Sequence, residues 1–330
     1  MLTLNGIHFG PVFCATGARG FYGEGYPFHR FWKYAGMNWD GVGFSGKTLT
    51  LEPRVGNMPL EEDGVTPKEI LPRCIWTDFR RGGEIINAVG LSNHGAYAYL
   101  MTGKYHTIEK PFFISFMALA NDSSGREDEL RRFCKLLLKY LPFKVAFALQ
   151  LNFGCPNSGH SLSEFIGEIA NMVQIAKSTL SGYQVPIVVN VNALMPTEVL
   201  VEVARTADAL WIGNTIPWRG TEMIDWSQYG ERSPIRRRGF DADGGLSSPL
   251  CLPFTEKKVW ELRESGVTLP IIGGNGIRNT SDIQRLEEVG CNAVFIGSLA
   301  LVRPMYMQMV VDKAYDVFAK GRFSHRIPSV

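Results

Sequence analysis

Two late stretches, Pro270-Ile-Ile-Gly-Gly-Asn-Gly-Ile277 and Ala293-Val-Phe-Ile-Gly-Ser-Leu299, decide the fold of this chain. Each is a short β-rich run that ends in glycine directly before a stretch of helical periodicity. Glycine at that junction leaves backbone N–H groups free at the start of a helix, where they bind phosphate well. Phosphate sites after the seventh and eighth strands are typical of barrels built from alternating strands and helices. For either stretch taken alone, the alternative that its glycines only form a tight turn stays open.

Earlier β-rich runs complete this pattern. The predicted strands are 12–17, 40–47, 112–118, 145–153, 186–191, 209–214, 270–274 and 293–297. The predicted helices are 127–140, 163–180, 196–206, 255–264, 281–289 and 304–318. This alternation predicts a (β/α)8 TIM barrel, with residues 1–330 as a single α/β domain. An open doubly wound sheet is the alternative, but its glycine-rich turn usually follows the first strand.

Two connections, 48–111 and 215–269, are too long to be plain loops. In a barrel, the segments that follow the carboxyl ends of the strands build the active site. We therefore expect both connections to cover or flank the mouth of the barrel.

The composition limits the classes of partner. Lys plus Arg total 34 against 32 for Asp plus Glu, so the net charge is only +2 and no nucleic-acid partner is expected. The six cysteines are scattered, without a CxxC pair or a histidine at ligand spacing, which predicts neither disulfides nor a metal site. The N-terminus lacks the layout of a signal peptide, and no run reaches the roughly 18 apolar residues that span a membrane. We expect a cytoplasmic protein with no membrane partner.

The richest polar run is Gln150-Leu-Asn-Phe-Gly-Cys-Pro-Asn157, at the carboxyl end of the fourth predicted strand. Asn152 and Asn157 flank Cys155, and a pair of amides can grip the imide or carboxylate edge of a small polar ring without adding charge. Cys155 can act as a base if its pKa is lowered or if its proton leaves only in the transition state. A lone cysteine is more often a small core residue. Its position at the barrel mouth between two asparagines favours the reactive role.

Further polar side chains follow other strands. Lys47 would bring a cation to the mouth at the end of the second strand, and Asn87, Asn93 and Asn214 add amides. Taken singly, each asparagine is better explained as a turn former or a helix cap.

Together these motifs resemble the dihydroorotate dehydrogenase family of FMN-dependent (β/α)8 barrels. Asn152-Phe-Gly-Cys-Pro-Asn157 is similar to the family's Asn-x-Ser-Cys-Pro-Asn loop, and Lys47-Thr-Leu-Thr-Leu-Glu-Pro-Arg-Val-Gly-Asn57 is similar to its Lys-(Ser/Thr) segment. Asn87-Ala-Val-Gly-Leu-Ser-Asn93 resembles the family's Asn-x-x-Gly-Leu-x-Asn, and Gly244-Gly-Leu-Ser247 with the two late turns resembles its glycine runs. The motifs occur in the family order between residues 12 and 303, so the resemblance covers nearly the whole chain.

The resemblance implies oxidation of dihydroorotate to orotate, a step of pyrimidine biosynthesis. Cys155 would remove the C5 proton while hydride passes from C6 to flavin N5, and Lys47 would lie between flavin and substrate. The residues implied in substrate binding are Lys47, Asn87, Val89, Gly90, Leu91, Asn152, Asn157, Asn214 and Thr215. The residues implied in FMN binding are Ala15, Gly17, Lys47, Thr48, Asn87, Asn152, Asn190, Asn214, Gly245, Gly274, Asn275, Gly276, Gly297 and Ser298. The flavin would supply the redox chemistry and the protein would supply position and electrostatics.

The cysteine at 155 resembles the soluble class of this family, because members that reduce membrane quinones have serine there and an N-terminal helical extension. Within the soluble class, one branch passes electrons to fumarate and another passes them to NAD through a separate iron–sulfur flavoprotein. The sequence leaves both acceptors open. The resemblance implies a homodimer that takes a small-molecule substrate, with an electron-transfer partner subunit as a further option.

Two positions depart from the family pattern. Asn190 stands where the family has a lysine in the fifth strand, and Gly154 stands where it has a serine. Because a charge-assisted hydrogen bond is roughly twice as strong as a neutral one, flavin reduction is expected to be less favourable without that lysine. Two alternatives therefore stay open: a related FMN oxidoreductase acting on another dihydropyrimidine-like ring or cyclic amide, and a barrel that binds flavin without catalysis.

Overall fold

The structure is a computed structural model that describes residues 1–79, 82–153 and 168–319. Its strands are β1 (Leu2–Leu4), β2 (Ile7–Gly10), β3 (Val12–Cys14), β4 (Phe44–Ser45), β5 (Ile75–Asp78), β6 (Glu84–Asn87), β7 (Phe112–Phe116), β8 (Phe147–Asn152), β9 (Ile187–Asn192), β10 (Ala209–Asn214), β11 (Ile216–Pro217), β12 (Gly245–Ser247), β13 (Ile271–Gly274) and β14 (Ala293–Ile296). Its α-helices are α1 (His29–Tyr34), α2 (Ala96–Leu100), α3 (Ser123–Leu138), α4 (Ile169–Thr179), α5 (Thr197–Ala204), α6 (Pro234–Arg237), α7 (Leu252–Glu264), α8 (Thr280–Glu288), α9 (Ser298–Val302) and α10 (Met307–Ala319).

Eight parallel strands form the central sheet in the order β3-β14-β13-β10-β9-β8-β7-β4. The two ends of this sheet meet, because Phe13 of β3 forms a parallel bridge with Gly43 and the N–H of Cys14 donates to the Gly43 carbonyl oxygen at 2.9 Å. Helices alternate with the strands along the chain. The predicted (β/α)8 barrel is confirmed.

Each predicted strand corresponds to one strand of this barrel, although the second is much shorter than expected. The prediction covered 40–47, whereas β4 contains only Phe44–Ser45. The backbone N–H of Lys47 donates to the Gly20 carbonyl oxygen at 2.8 Å, in the loop after β3. The chain nevertheless stays beside β7, because the Gly46 and Leu49 N–H groups donate to the carbonyl oxygens of Phe113 and Ser115.

Observed helix starts differ from the predicted ones by one to four residues where the structure describes them; α3 begins at Ser123 instead of 127 and α7 at Leu252 instead of 255. α8 begins at Thr280, one residue before the predicted start, with a capping box between Asn279 and Asp282. The helix predicted over 163–180 is observed as Ile169–Thr179, and residues 163–167 lie outside the described ranges. No helix among the described residues is long and apolar enough to cross a membrane.

Aromatic side chains fill the barrel interior. Phe13, Phe113, Trp211 and Phe295 share one buried cluster, in which the Trp211 and Phe295 rings stack with centroids 4.9 Å apart. Phe13 meets Phe113 edge to face at 5.0 Å. These rings form a rigid floor below the carboxyl ends of the strands.

The N-terminal hairpin of β1 and β2 completes this cluster. Leu2, Leu4 and Phe9 are buried in it, and the Phe9 ring lies 5.0 Å from that of Phe113. The hairpin therefore belongs to the barrel core.

The two long connections pair with each other. β5 and β6 come from the first connection, β11 and β12 from the second, and together they form an antiparallel sheet in the order β11-β12-β6-β5. Gly245 of β12 pairs with both Pro217 of β11 and Asn87 of β6. Asn87 is thereby fixed at the end of a strand in this second sheet.

Candidate active site

A cavity of about 200 Å³ opens at the carboxyl ends of the barrel strands and is flanked by the second sheet. Many of the predicted site residues line it, although they come from distant parts of the chain. They are Ala15, Gly17, Asn87, Val89, Asn190, Asn214, Thr215, Asn275, Gly276, Gly297 and Ser298. The two long connections therefore flank the mouth, as expected.

Three glycines at the strand ends beside the cavity are required by close packing. A Cβ atom on Gly274 would lie 2.5 Å from the Phe295 ring, and one on Gly297 would lie 2.7 Å from the Ala15 Cβ. Gly213 has the same constraint, because its Cβ would meet the Gly274 carbonyl oxygen at 2.5 Å. Of the three, Gly213 and Gly297 line the cavity beside the Trp211 and Phe295 rings, and Gly274 lies behind the Phe295 ring.

Part of the cavity's surroundings is polar and carries unsatisfied groups. Asn190 is 3% exposed and its Oδ1 has no hydrogen-bond partner. Gln150 is fully buried behind the lining residue Thr16; its Oε1 accepts from Thr16 Oγ1 at 2.7 Å, and its Nε2 is left unpaired. An unsatisfied buried polar group costs about 1–3 kcal/mol, so a polar ligand here would stabilise the protein.

Asn214 is oriented by a chain of hydrogen bonds that runs behind the cavity. Its Nδ2 donates to Asn152 Oδ1 at 3.0 Å, and Asn152 Nδ2 donates to Thr48 Oγ1 at 2.9 Å. Thr48 Oγ1 in turn lies 2.9 Å from Ser115 Oγ. Asn152 and Thr48 are not among the residues that line the cavity. They fix the amide of Asn214, which does line it.

Lys47 also lies just behind the cavity wall. It is 7% exposed, and its Nζ donates to the Ser92 carbonyl oxygen and lies 4.8 Å from the centre of the Phe21 ring. A Cβ atom on Gly17 would lie 3.2 Å from Lys47 Cγ, so the lysine stem packs against the Gly17 backbone.

The segment 87–93 is held by side chains from the segment that Lys47 begins. Arg54 Nε donates to the Gly90 carbonyl oxygen at 2.8 Å, and Asn57 Nδ2 donates to that of Ala88 at 2.7 Å. Of the predicted Val89, Gly90 and Leu91, only Val89 is among the cavity-lining residues. The two motifs are thus one structural unit, which orients Asn87 and Val89 towards the cavity.

The turn after β13 requires glycine at its second position. Asn275 and Gly276 both have positive φ, 70° and 97°, and a Cβ on Gly276 would lie 2.1 Å from the Ser248 carbonyl oxygen. Asn275 Oδ1 is buried without a hydrogen-bond partner, and its Nδ2 donates to the Asn214 carbonyl oxygen at 3.2 Å. Ser298 begins α9 beside this turn, where free N–H groups favour a phosphate.

Comparison with known proteins decides the family. The family model described as dihydroorotate dehydrogenase matches residues 18–315. The chain belongs to the dihydroorotate dehydrogenase family. This confirms the resemblance predicted from the motifs, and with it the prediction of an oxidoreductase.

Curated relatives in this family are catalytic subunits named dihydroorotate dehydrogenase B (NAD(+)). The protein from Desulforamulus reducens is 27% identical over 309 residues, which cover 92% of this chain and 87% of that protein. The protein from Listeria welshimeri is 28% identical over 309 residues, which cover 92% of this chain and 88% of that protein. A crystal structure of DHODH from Eimeria tenella in complex with ferulenol has a TM-score of 0.66 at 17% identity, covering 97% of this chain and 84% of that one, which supports the fold alone.

Two predicted residues of this dihydroorotate dehydrogenase family member, Cys155 and Asn157, lie outside the described residues. The other cysteines are free and buried. Burial raises the thiol pKa of Cys14 to about 11 and that of Cys74, Cys134, Cys251 and Cys291 to about 12. None of these thiols ionises near neutral pH. Within 1–79, 82–153 and 168–319, no three His, Cys, Asp or Glu side chains are grouped to hold a metal ion.

The structure also places in the cavity wall an aromatic segment that the sequence reasoning missed. Tyr26, Phe28 and His29 follow β3 and line the same cavity. His29 Nδ1 accepts from the Tyr26 N–H at 3.2 Å, and burial, with the Arg19 and Lys33 charges, lowers the pKa of His29 to about 4. The imidazole is therefore neutral at ordinary pH. The only sequence signal was the density of aromatic residues in 21–29, which has no regular period.

Proposed function

We propose that this chain binds FMN in the cavity and oxidises dihydroorotate to orotate. One observation carries the proposal: in a member of the dihydroorotate dehydrogenase family, a single cavity at the barrel mouth combines aromatic rings, the unsatisfied buried amides of Asn190 and Asn275, and the two glycine turns that follow the last two strands.

The described residues fit this cofactor at both of its ends. The Trp211 and Phe295 rings in the cavity lining suit a flat ring, and Asn190 offers an unpaired polar atom to its edge. The turns at 274–276 and 297–298 suit the phosphate. The proposed cofactor residues are Ala15, Gly17, Lys47, Thr48, Asn87, Asn152, Asn190, Asn214, Gly245, Gly274, Asn275, Gly276, Gly297 and Ser298. Among them Lys47, Thr48, Asn152 and Gly245 would act from behind the wall.

The substrate would lie against the amide-rich side of the cavity. Asn87, Asn214 and Thr215 present polar groups there, and Asn152 fixes Asn214. Lys47 would pair with the carboxylate of dihydroorotate, with Asn157 and the backbone of 89–91 completing the site. An amide-lined site recognises the imide edge of a pyrimidine without charge.

The chemistry requires a base on one face of the ring. Cys155 would take the C5 proton onto its sulfur as the C5=C6 double bond forms. FMN, when bound, supplies the acceptor for the hydride that leaves C6. The high pKa of the other thiols supports this assignment, because Cys155 is the remaining cysteine.

Asn190 favours a second candidate function, oxidation of another dihydropyrimidine-like ring or cyclic amide by the same machinery. A neutral amide at 190 would leave the reduced cofactor less stabilised than a lysine would. A substrate that reduces flavin more readily than dihydroorotate does would suit this change.

The relatives' names bear on the partners. Because they are named as catalytic subunits of an NAD(+) enzyme, we propose a separate electron-transfer subunit for this chain. A homodimer of the chain is proposed with it.

Replacement of Cys155 tests the assignment of the base. We expect Cys155→Ala to retain FMN at the wild-type ratio but to be reduced by dihydroorotate roughly 100-fold to 10,000-fold more slowly, as measured by anaerobic stopped flow. Cys134→Ala, a buried cysteine on α3, is the matched control and should keep the wild-type rate. A wild-type rate of flavin reduction in Cys155→Ala would disprove the base role. A wild-type protein that takes up no FMN would disprove the proposed cofactor.

A further inference from the structure

The Lys47 ammonium lies over the face of the Phe21 ring, and Phe21 has no part in the proposed function. Its Nζ is 4.8 Å from the centre of the Phe21 ring, and Phe21 is 1% exposed. A cation in this position is attracted by the electron density of the ring face, and the attraction is strongest where both groups are shielded from water.

Phe21 is itself held by a second ring. Tyr99 of α2 stacks on it with centroids 4.0 Å apart and planes 20° apart. The Tyr99 hydroxyl donates to the Gly64 carbonyl oxygen at 2.7 Å and accepts from the His94 N–H at 3.1 Å. Stacking and hydrogen bonding therefore prevent both rings from turning.

The backbone reinforces the same contact. The Lys47 N–H donates to the carbonyl oxygen of Gly20, the residue before Phe21, and the Phe21 N–H donates to Glu24 Oε1 at 2.9 Å. The lysine and the ring are thus fixed relative to each other at both main chain and side chain.

The ammonium so placed reaches the segment proposed to hold the substrate. Its hydrogen bond goes to the Ser92 carbonyl oxygen, three residues after Val89 in the cavity wall. We infer that Phe21, supported by Tyr99, is a positioning residue. It holds the Lys47 ammonium beside segment 87–93, where the ammonium can interact with a negatively charged substrate ring. This inference rests on the proposed function, in which Lys47 pairs with the substrate carboxylate.

Fluorination of the ring tests the inference without changing its shape. Site-specific 3,4,5-trifluorophenylalanine at position 21 removes electron density from the ring face. We expect the dissociation constant for orotate, from spectral titration of the FMN-loaded protein, to rise roughly threefold to tenfold. The dissociation constant for FMN should change less than twofold.

The matched control is Phe133 of α3, which stacks on Phe116 with the same 4.0 Å centroid spacing in the core between α3 and β7. The same substitution there should leave orotate affinity unchanged. An unchanged or tighter orotate affinity on fluorination at 21 would overturn the inference, as would an equal loss on fluorination at 133.

A double-mutant cycle measures the contact without any substrate. Fluorination at 21 should lower the folding equilibrium constant, from urea unfolding, roughly threefold more with Lys47 present than in the Lys47→Met background. Equal effects in the two backgrounds would overturn the contact. Failure of the wild-type protein to bind orotate would instead count against the proposed function, so the two failures are distinguishable.

Discussion

Asn190 lies on the inner face of β9 where the family pattern has a lysine, and it is nearly completely buried. Its unpaired Oδ1 shows that the surrounding protein does not satisfy this amide. A neutral amide can hydrogen-bond a cofactor but brings no charge to stabilise a reduced, anionic one. The sequence identified this position, and the structure adds that it faces the cavity.

Asn190→Lys tests this reasoning at the level of redox potential. The added cation should raise the two-electron midpoint potential of bound FMN by the order of 30 mV, which corresponds to about 1.4 kcal/mol. The potential can be measured by anaerobic dye-coupled titration, with Asn190→Leu as the uncharged control. A potential that does not rise would show that position 190 is not at the charged edge of the cofactor.

His29 makes a prediction about acid stability. Its pKa is about 4 in the folded protein against the ordinary histidine value of 6.5, so the unfolded chain binds more protons than the folded protein does between pH 6.5 and pH 4. Stability must therefore fall as the pH falls from 6.5 to 4. Between pH 7 and pH 4, we expect the wild type to lose roughly 2–3 kcal/mol more unfolding free energy than His29→Gln does.

Urea unfolding at both pH values measures this difference. His106→Gln, which removes an exposed histidine, is the control and should follow the wild type. If His29→Gln and the wild type lose the same stability, His29 is not held neutral by its surroundings.

Single residues also show the limit of sequence reasoning. The motifs identified Asn87, Asn214 and the late glycines, because turn chemistry and strand ends are local properties. They could not distinguish Asn214, which lines the cavity, from Asn152, which lies behind it. That distinction depends on side-chain packing between segments that are distant in the chain.

At the scale of elements, the second sheet is what brings Asn87 to the cavity. β6 pairs with β12, a strand from a connection that begins more than a hundred residues later, and Gly245 lies opposite Asn87. The length of both connections predicted that they flank the mouth, but no local pattern predicts which distant strands pair. The apolar cluster beneath this sheet includes Ile86 and Leu246, both fully buried.

Leu246→Ala tests the role of this sheet. Removal of a fully buried leucine should cost about 2–5 kcal/mol of unfolding free energy, and it should weaken orotate binding because β6 loses its support. Leu130→Ala on α3 removes an equally buried leucine from the outer core and is the control. If both variants lose the same stability and both bind orotate more weakly, the loss of orotate affinity is a general result of destabilisation and does not depend on the second sheet.

At the scale of the whole molecule, the barrel separates stability from function along its axis. The N-terminal hairpin packs beneath the aromatic floor through Phe9, and the upper rings of that floor, Trp211 and Phe295, line the cavity together with the amides. The eightfold alternation predicted this architecture, because a strand and helix period is visible in the sequence. The insertion of the hairpin into the core was not visible, since its alternating residues fit any short strand.

Phe9→Ala should lower the stability of the protein without changing its affinity for FMN. Loss of its ring from the floor is expected to cost about 3–5 kcal/mol of unfolding free energy, measured by urea titration. FMN affinity at a temperature where the variant is folded should stay within twofold of the wild type. A loss of FMN affinity comparable to the loss of stability would show that the two ends are coupled.

The central claim is that the cavity holds FMN and that dihydroorotate reduces it. The most direct measurement is anaerobic addition of dihydroorotate to the FMN-loaded wild-type protein, followed at the flavin absorbance band. We expect the flavin band to bleach with formation of one orotate per flavin. Protein that carries FMN but is never bleached by dihydroorotate, while another dihydropyrimidine or cyclic amide bleaches it, would contradict the account.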